Sequence, residues 1–386
     1  MEPAASLRRD GTERPRRELR STLGTGAVRS QAEYSKRNRL FAEPMPPMDH
    51  SRPSRRRKRA WQRVATILAV LVATAACGTD AALRPSSDVI TDPAKAVFVT
   101  TDIERFWAAY DAGGATGTAS AFQVGYLDRG SSGLRDFIRL RNLTAANLVN
   151  MVRTYPRYFA DIRASTLRLA TDASVQNRIR DNYRKIADMY TASVFPPVTF
   201  LIGRFSTGGT TSSNGMLVGL EFYAITPSTP LDELGTFQRD NVRPLDSLPT
   251  IVAHEHVHIL QGRAGGIASK TNKNLLDQTL LEGGADFVAY LVTGANINAR
   301  LQAYAIPREA ELWAEFKTAM RGTDISRWLY NQGSATADRP GDLGYFIGYR
   351  IAEAFYARTV NKREALRAII DVSNSDLFLS QSGYAP

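Results

Sequence analysis

Three of the chain's four histidines stand within five consecutive residues, His254-Glu255-His256-Val257-His258. On a helix turning about 100° per residue, His254 and His258 lie ~40° apart and one turn along, so both imidazoles reach one point. Glu255 falls ~60° from His258, close enough to act on a water at that point without itself binding an ion. His256 faces about the opposite side and is expected behind the ligands or at the surface. The five residues fit the pattern H-E-x-x-H, whose histidines bind one divalent ion while the glutamate serves as base. The competing explanation is a helix that carries its histidines to solvent.

A catalytic zinc takes three protein ligands and keeps one position for water, so a third ligand is needed. The segment Leu275–Val292 is apolar almost all round, yet it contains Glu282 and Asp286, one turn apart. A carboxylate in such a helix is costly to bury unless it is paired or bound to a metal. Coordination of zinc by Glu282 answers the first case. A hydrogen bond from a ligand histidine to Asp286 answers the second and would fix the ring's orientation. The alternative for Glu282 is a core salt bridge. Gly283 and Gly284 each cost ~1 kcal/mol in a helix interior, which suggests close approach to the His254 helix.

Around these segments the pattern is α+β. Helical spacing of large apolar residues marks Ile103–Tyr110, Tyr158–Leu169 and Val175–Tyr190. Val198–Ile202 and Met216–Tyr223 read as strands, and with the Gly- and Ser-rich stretch Gly208–Gly215 between them they suggest a long hairpin. From Pro249 onward the chain turns helical, with a last long helix beginning near Leu343. The expectation is a small N-terminal sheet with helices, followed by a mainly helical half carrying the histidines. Residues 99–386 would form this folded domain and residues 77–98 a flexible tether.

With 386 residues, 43% of them hydrophobic, the chain can bury a substantial core. Its formal charge of +11 would suit a nucleic-acid partner if it sat on the folded part. It does not. Residues 1–76 hold 17 Lys and Arg against 7 Asp and Glu, leaving 32 against 31 of the chain's 49 basic and 38 acidic residues for the rest. No nucleic-acid partner is expected.

Residues 1–76 read instead as a leader. Arg55–Arg59 is a basic run, Val64–Ala76 is uncharged and apolar, and small residues follow, the order of a secretory signal. As a helix that run spans roughly 20 Å, short of the ~30 Å hydrocarbon core of a membrane. Thr74-Ala75-Ala76-Cys77-Gly78 resembles a lipobox, with Thr74 where Leu is usual. Lipidation of Cys77, the chain's single cysteine, would anchor the exported protein at the cell envelope, on its periplasmic or outer-membrane face. Cleavage by an ordinary signal peptidase is the alternative. Met45 or Met48 would place the basic run where an export signal needs it, so residues 1–47 read as a misassigned start or an Arg-rich extension.

H-E-x-x-H followed about two dozen residues later by Glu282-Gly283-Gly284-Ala285-Asp286 is similar to the gluzincin class of metallopeptidases. More narrowly, the folded part resembles a bacterial family of predicted zinc-dependent proteases. That likeness includes Gln261 and the stretch Gly344-Tyr345-Phe346-Ile347-Gly348-Tyr349. It implies a zincin-like fold, Zn²⁺ held by His254, His258 and Glu282, Glu255 as general base, Asp286 behind the ligands, and a peptide or protein substrate. Tyr345 is the first candidate to stabilise an oxyanion, with Tyr349 or Arg350 next; packing of a helix with a Gly344, Gly348 and Ala352 stripe is the plainer role for all three. The second strand of the expected hairpin could pair with substrate, and Glu221 could bind a substrate amino terminus. A non-catalytic zinc site in a binding lipoprotein, and hydrolysis of a non-peptide bond, are the rival functions.

Overall fold

The computed structural model describes residues 89–336 and 338–386. The leader, Cys77 and the tether up to residue 88 lie outside the described residues. The folded part begins earlier than Val99. Ile90 accepts a hydrogen bond from the Phe195 amide at 2.8 Å, and Phe98–Val99 is already a strand, β1.

The first half is helical around a small sheet. Helix α1 (Thr101–Ala109) buries Ile103, Phe106 and Trp107, the i, i+3, i+4 stripe read from its sequence. There follow α2 (Ala119–Phe122), α3 (Ser132–Arg141), α4 (Ala145–Thr154), α5 (Pro156–Thr171) and α6 (Ser174–Met189). Helix α4 starts at a reciprocal Thr144–Asn147 cap, and Pro156, which needs no amide partner in a first turn, starts α5.

The sheet corrects the expected hairpin. Strands β2 (Val198–Leu201) and β4 (Gly215–Gly219) run parallel, not antiparallel, with Val198 opposite Met216. Between them the stretch expected as a turn supplies a further strand, β3 (Gly209–Ser212), which forms a tight hairpin with β4. The order is β1-β2-β4-β3. Met216–Gly219 is therefore an interior strand, and the polar β3 takes the edge. Gly215 holds the hairpin turn at φ +115°, where a Cβ would lie 2.1 Å from the Pro197 carbonyl oxygen.

After α7 (Thr236–Asn241) come the two helices that matter most. Helix α8 (Leu248–Ala264) carries Pro249 in its first turn and stops at Gly265, φ +82°. Helix α9 (Leu275–Thr293) starts at a reciprocal Asn274–Asp277 cap and stops at Gly294, φ +73°. Both are buried on nearly every side, which is why neither shows a clean amphipathic stripe. The chain closes with α10 (Ala299–Ala305), α11 (Glu309–Ala319), α12 (Leu343–Arg358), α13 (Lys362–Ile370) and α14 (Ser375–Ser382).

Helix α9 lies between α8 and α12. Its closest approach is to α12 rather than, as expected, to the His254 helix. A Cβ on Gly283 would sit 2.2 Å from the Tyr349 nitrogen, and one on Gly348 would sit 1.9 Å from the Thr279 oxygen. Gly284 is not under this constraint: the nearest atom to its Cβ position is Ile369 Cγ2 at 3.4 Å.

Candidate metal centre

Helix α8 presents His254 and His258 one turn apart, with their Nε2 atoms 3.0 Å from each other. From the neighbouring α9, Glu282 brings Oε2 to 3.2 Å from Nε2 of His258 and 3.5 Å from Nε2 of His254. Two imidazole nitrogens and a carboxylate oxygen thus face one point. Ligands at ~2.05 Å on a tetrahedral centre would stand ~3.3 Å from one another. The observed edges bracket that spacing. A simple core salt bridge would need one imidazole, not two aimed alike.

The electrostatics couple the three groups tightly. Burial alone would push both imidazoles toward neutrality and the carboxyl toward its protonated form. Against burial, the Asp286 and Glu282 carboxylates hold His254 well above the usual histidine range. Glu282 likewise raises His258. The two imidazoles hold Glu282 well below the usual carboxylate range despite its burial. Nitrogen and oxygen donors in this number suit Zn²⁺ and leave a fourth position for water.

Behind the three-residue group, both rings have a polar neighbour at Nδ1. His254 Nδ1 lies 2.8 Å from Asp286 Oδ1, a short but poorly aligned contact, and Asp286 Oδ2 accepts from Asn298 Nδ2 at 2.7 Å. His258 Nδ1 lies 2.8 Å from Gln261 Oε1, while Gln261 Nε2 donates to the Leu281 carbonyl at 3.0 Å. That carbonyl fixes which end of the amide faces His258. His258 then donates through Nδ1, which would leave its Nε2 lone pair for an ion, and the Asp286 carboxylate beside His254 Nδ1 favours the same arrangement there.

Glu255, next to His254, stays partly exposed and faces the edge strand. A Cβ on Gly209 would come 2.5 Å from its Oε1, so glycine lets β3 pass close by without displacing the carboxylate. Tyr345, in the first turn of α12, stacks on His254 with ring centroids 6.4 Å apart and 24° between planes. Burial, reinforced by the Glu282 carboxylate, raises its phenol well above the ordinary tyrosine range, so it stays protonated. The hydroxyl of Tyr330 donates to Glu282 Oε1 at 2.5 Å.

Several residues named from the sequence lie elsewhere. His256 is neither at the surface nor behind the His254–His258–Glu282 group. It is fully buried between Tyr183 and Phe195, with Nε2 2.6 Å from the Val194 carbonyl oxygen, and burial pushes its pKa down to about 4. Glu221 is also buried, on a 3-10 turn after β4, where it accepts from the amides of Gly203 (2.7 Å) and Phe205 (2.9 Å). It braces the loop after β2 and is not available to a substrate amino terminus. Tyr349 packs edge-on against Phe287 and Tyr290, and Arg350 is paired with Glu309 and Glu353. Of the three oxyanion candidates only Tyr345 stands at the centre. Gly209, Asn298 and Tyr330 were not singled out from the sequence. Asn298 and Tyr330 carry no spacing signal, and Gly209 was hidden in a stretch that reads as a turn.

Fold and site together define a mixed α+β protein with a buried His-His-Glu group that fits a divalent metal, the one such group of three or more among the described residues. Residues 230–372, which include all three, match the family model described as "Predicted Zn-dependent protease (DUF2268)", and over these residues the narrower resemblance, to predicted zinc-dependent proteases, is borne out. No curated protein and no solved structure matches the chain.

Proposed function

We propose that this protein is a zinc-dependent peptidase of the gluzincin type, with His254, His258 and Glu282 holding the metal and Glu255 as general base. The observation that carries the proposal is the convergence of those three ligand atoms beside a partly exposed Glu255. When bound, a zinc ion supplies a Lewis acid for a carbonyl and makes a water easier to deprotonate. Glu255 accepts the proton of the attacking water and delivers it to the departing amine. The protonated phenol of Tyr345 is the donor for the oxygen that becomes negative. Substrate lies along β3, the edge strand, whose outer side can pair with an extended peptide. This replaces the interior strand β4 in that role. Export and anchoring through a lipid on Cys77 belong to the same proposal.

The test is a peptide-library digest of wild type and Glu255→Gln, with metal analysis of both. Zinc in both and cleavage only by wild type is the expected result. Equal cleavage by the two removes Glu255 from the mechanism. Zinc without any cleavage by wild type, across the library, contradicts peptidase activity.

A further inference from the structure

The two oxygens of Glu282 are treated differently by their surroundings. Oε2 faces the imidazole pair, while Oε1 is capped by the Tyr330 hydroxyl at 2.5 Å. The chain spends unusual backbone geometry to place that phenol. Tyr330 sits at φ +55°, and Asp342, at the far end of the same loop, sits at φ +66°. Left-handed conformations are unfavourable for residues with a Cβ, and they recur where surrounding structure holds a functional group in place.

The holding structure is visible. The Asn331 amide donates to Asp342 Oδ1 at 3.0 Å and the Asp342 amide donates back to Asn331 Oδ1 at 2.7 Å. One residue before Tyr330 and two after Asp342, the loop is pressed onto α12. A Cβ on Gly344 would come 2.7 Å from Leu329 Cδ2, and the Gly344 amide donates to the Trp328 carbonyl at 2.7 Å. Trp328 is fully buried against Phe316. The Tyr330 ring then rests edge-on against Tyr345, 6.3 Å between centroids at 88°.

We infer that Tyr330 is a positioning residue for the third metal ligand: its hydroxyl occupies Glu282 Oε1, so that the carboxylate meets the ion through Oε2 alone. The inference rests on the proposed metal site. A carboxylate left free to use both oxygens would fill a coordination position that water and substrate need. The Asn331–Asp342 clamp sets where the phenol lies, and the Tyr345 ring backs it without using its own hydroxyl.

The test measures zinc affinity by chelator competition for wild type, Tyr330→Phe, Asn331→Ala and Tyr345→Phe, each also melted in excess chelator. The visible spectrum of each cobalt-substituted protein reports coordination number. Tyr330→Phe keeps the ring and is expected to bind zinc about 10–100-fold more weakly, the usual loss for removing a group that orients a ligand. Its melting point without metal should match wild type, and its cobalt bands should weaken as coordination rises. Asn331→Ala should fall between the two, and Tyr345→Phe should bind as wild type does. Affinities of wild type and Tyr330→Phe within about twofold overturn the inference while leaving the metal site standing. So does an equal loss in Tyr345→Phe. Wild type that takes up no zinc overturns the metal site and this inference together.

Discussion

Replacing Gly283 with alanine sets two effects of opposite sign against each other, and the structure says which wins. Alanine is favoured over glycine in a helix interior by about 1 kcal/mol. At Gly283, however, the new Cβ would lie 2.2 Å from the Tyr349 nitrogen, 2.3 Å from the Gly348 carbonyl carbon and 2.4 Å from Gly348 Cα. Ordinary contact needs about 3.5 Å or more, so α9 and α12 would have to separate by roughly 1 Å. All three atoms are backbone, so no side chain can swing aside. Overpacking of this kind costs about 3 kcal/mol at the upper end of the usual range, which leaves a net loss of about 2 kcal/mol. At about 2–4 °C per kcal/mol, the melting point should fall by roughly 4–8 °C. Gly284→Ala is the matched control. Its Cβ meets nothing closer than 3.4 Å, so the propensity gain should dominate and the melting point should hold or rise by a few degrees. Differential scanning calorimetry of both variants in excess chelator separates packing from metal binding. A fall of the same size in both, or no fall in Gly283→Ala, would refute the helix–helix contact. Because Glu282 adjoins Gly283, the same separation should also weaken zinc uptake by Gly283→Ala and not by Gly284→Ala.

Asp286→Asn should weaken zinc binding by about 10–100-fold in a chelator competition, since it loosens the hold on His254 without touching the ion. Gly209→Val pushes a side chain toward Glu255 Oε1, whose flexible end can yield; the fold should survive and zinc remain bound, while peptide cleavage drops by roughly 100-fold. Glu221 supplies a pH signature. Burial outweighs its backbone hydrogen bonds and raises its pKa to about 7, above the ordinary value of 4.5. A raised folded-state pKa contributes stability that is complete below about pH 4.5 and lost as pH climbs through about 7, by at most about 3 kcal/mol. The pH dependence of chelator-treated protein melted between pH 5 and 8 should therefore be shallower in Glu221→Gln than in wild type. Parallel curves would remove Glu221 as its source.

Much of the centre was legible because its signals are local. One helical turn separates His254 from His258, and one separates Glu282 from Asp286, so spacing alone placed each pair on a common face. A carboxylate in an apolar helix also announces that it needs a partner. What was not legible depends on distant segments. Tyr330 reaches Glu282 only through a loop held by Asn331 and Asp342, and Asn298 reaches Asp286 only after α9 has ended. The sheet was misread for a related reason. Val198–Leu201 and Met216–Gly219 are both buried, and buried strands look alike whether they pair parallel or antiparallel. The polar Gly209–Ser212 resembles a turn because an edge strand needs little apolar surface. Gly283 signalled close packing correctly, but glycine alone does not say which helix comes close.

Zinc-edge X-ray absorption fine structure of the purified wild-type protein tests the ligand set most directly. Two imidazole nitrogens and one or two further oxygens at about 2.0–2.1 Å are expected, with no sulfur. The two-imidazole signal should disappear in His254→Ala and persist in His256→Ala. A sulfur scatterer, a shell of water oxygens alone, or an unchanged spectrum in His254→Ala would contradict a metal held by His254, His258 and Glu282.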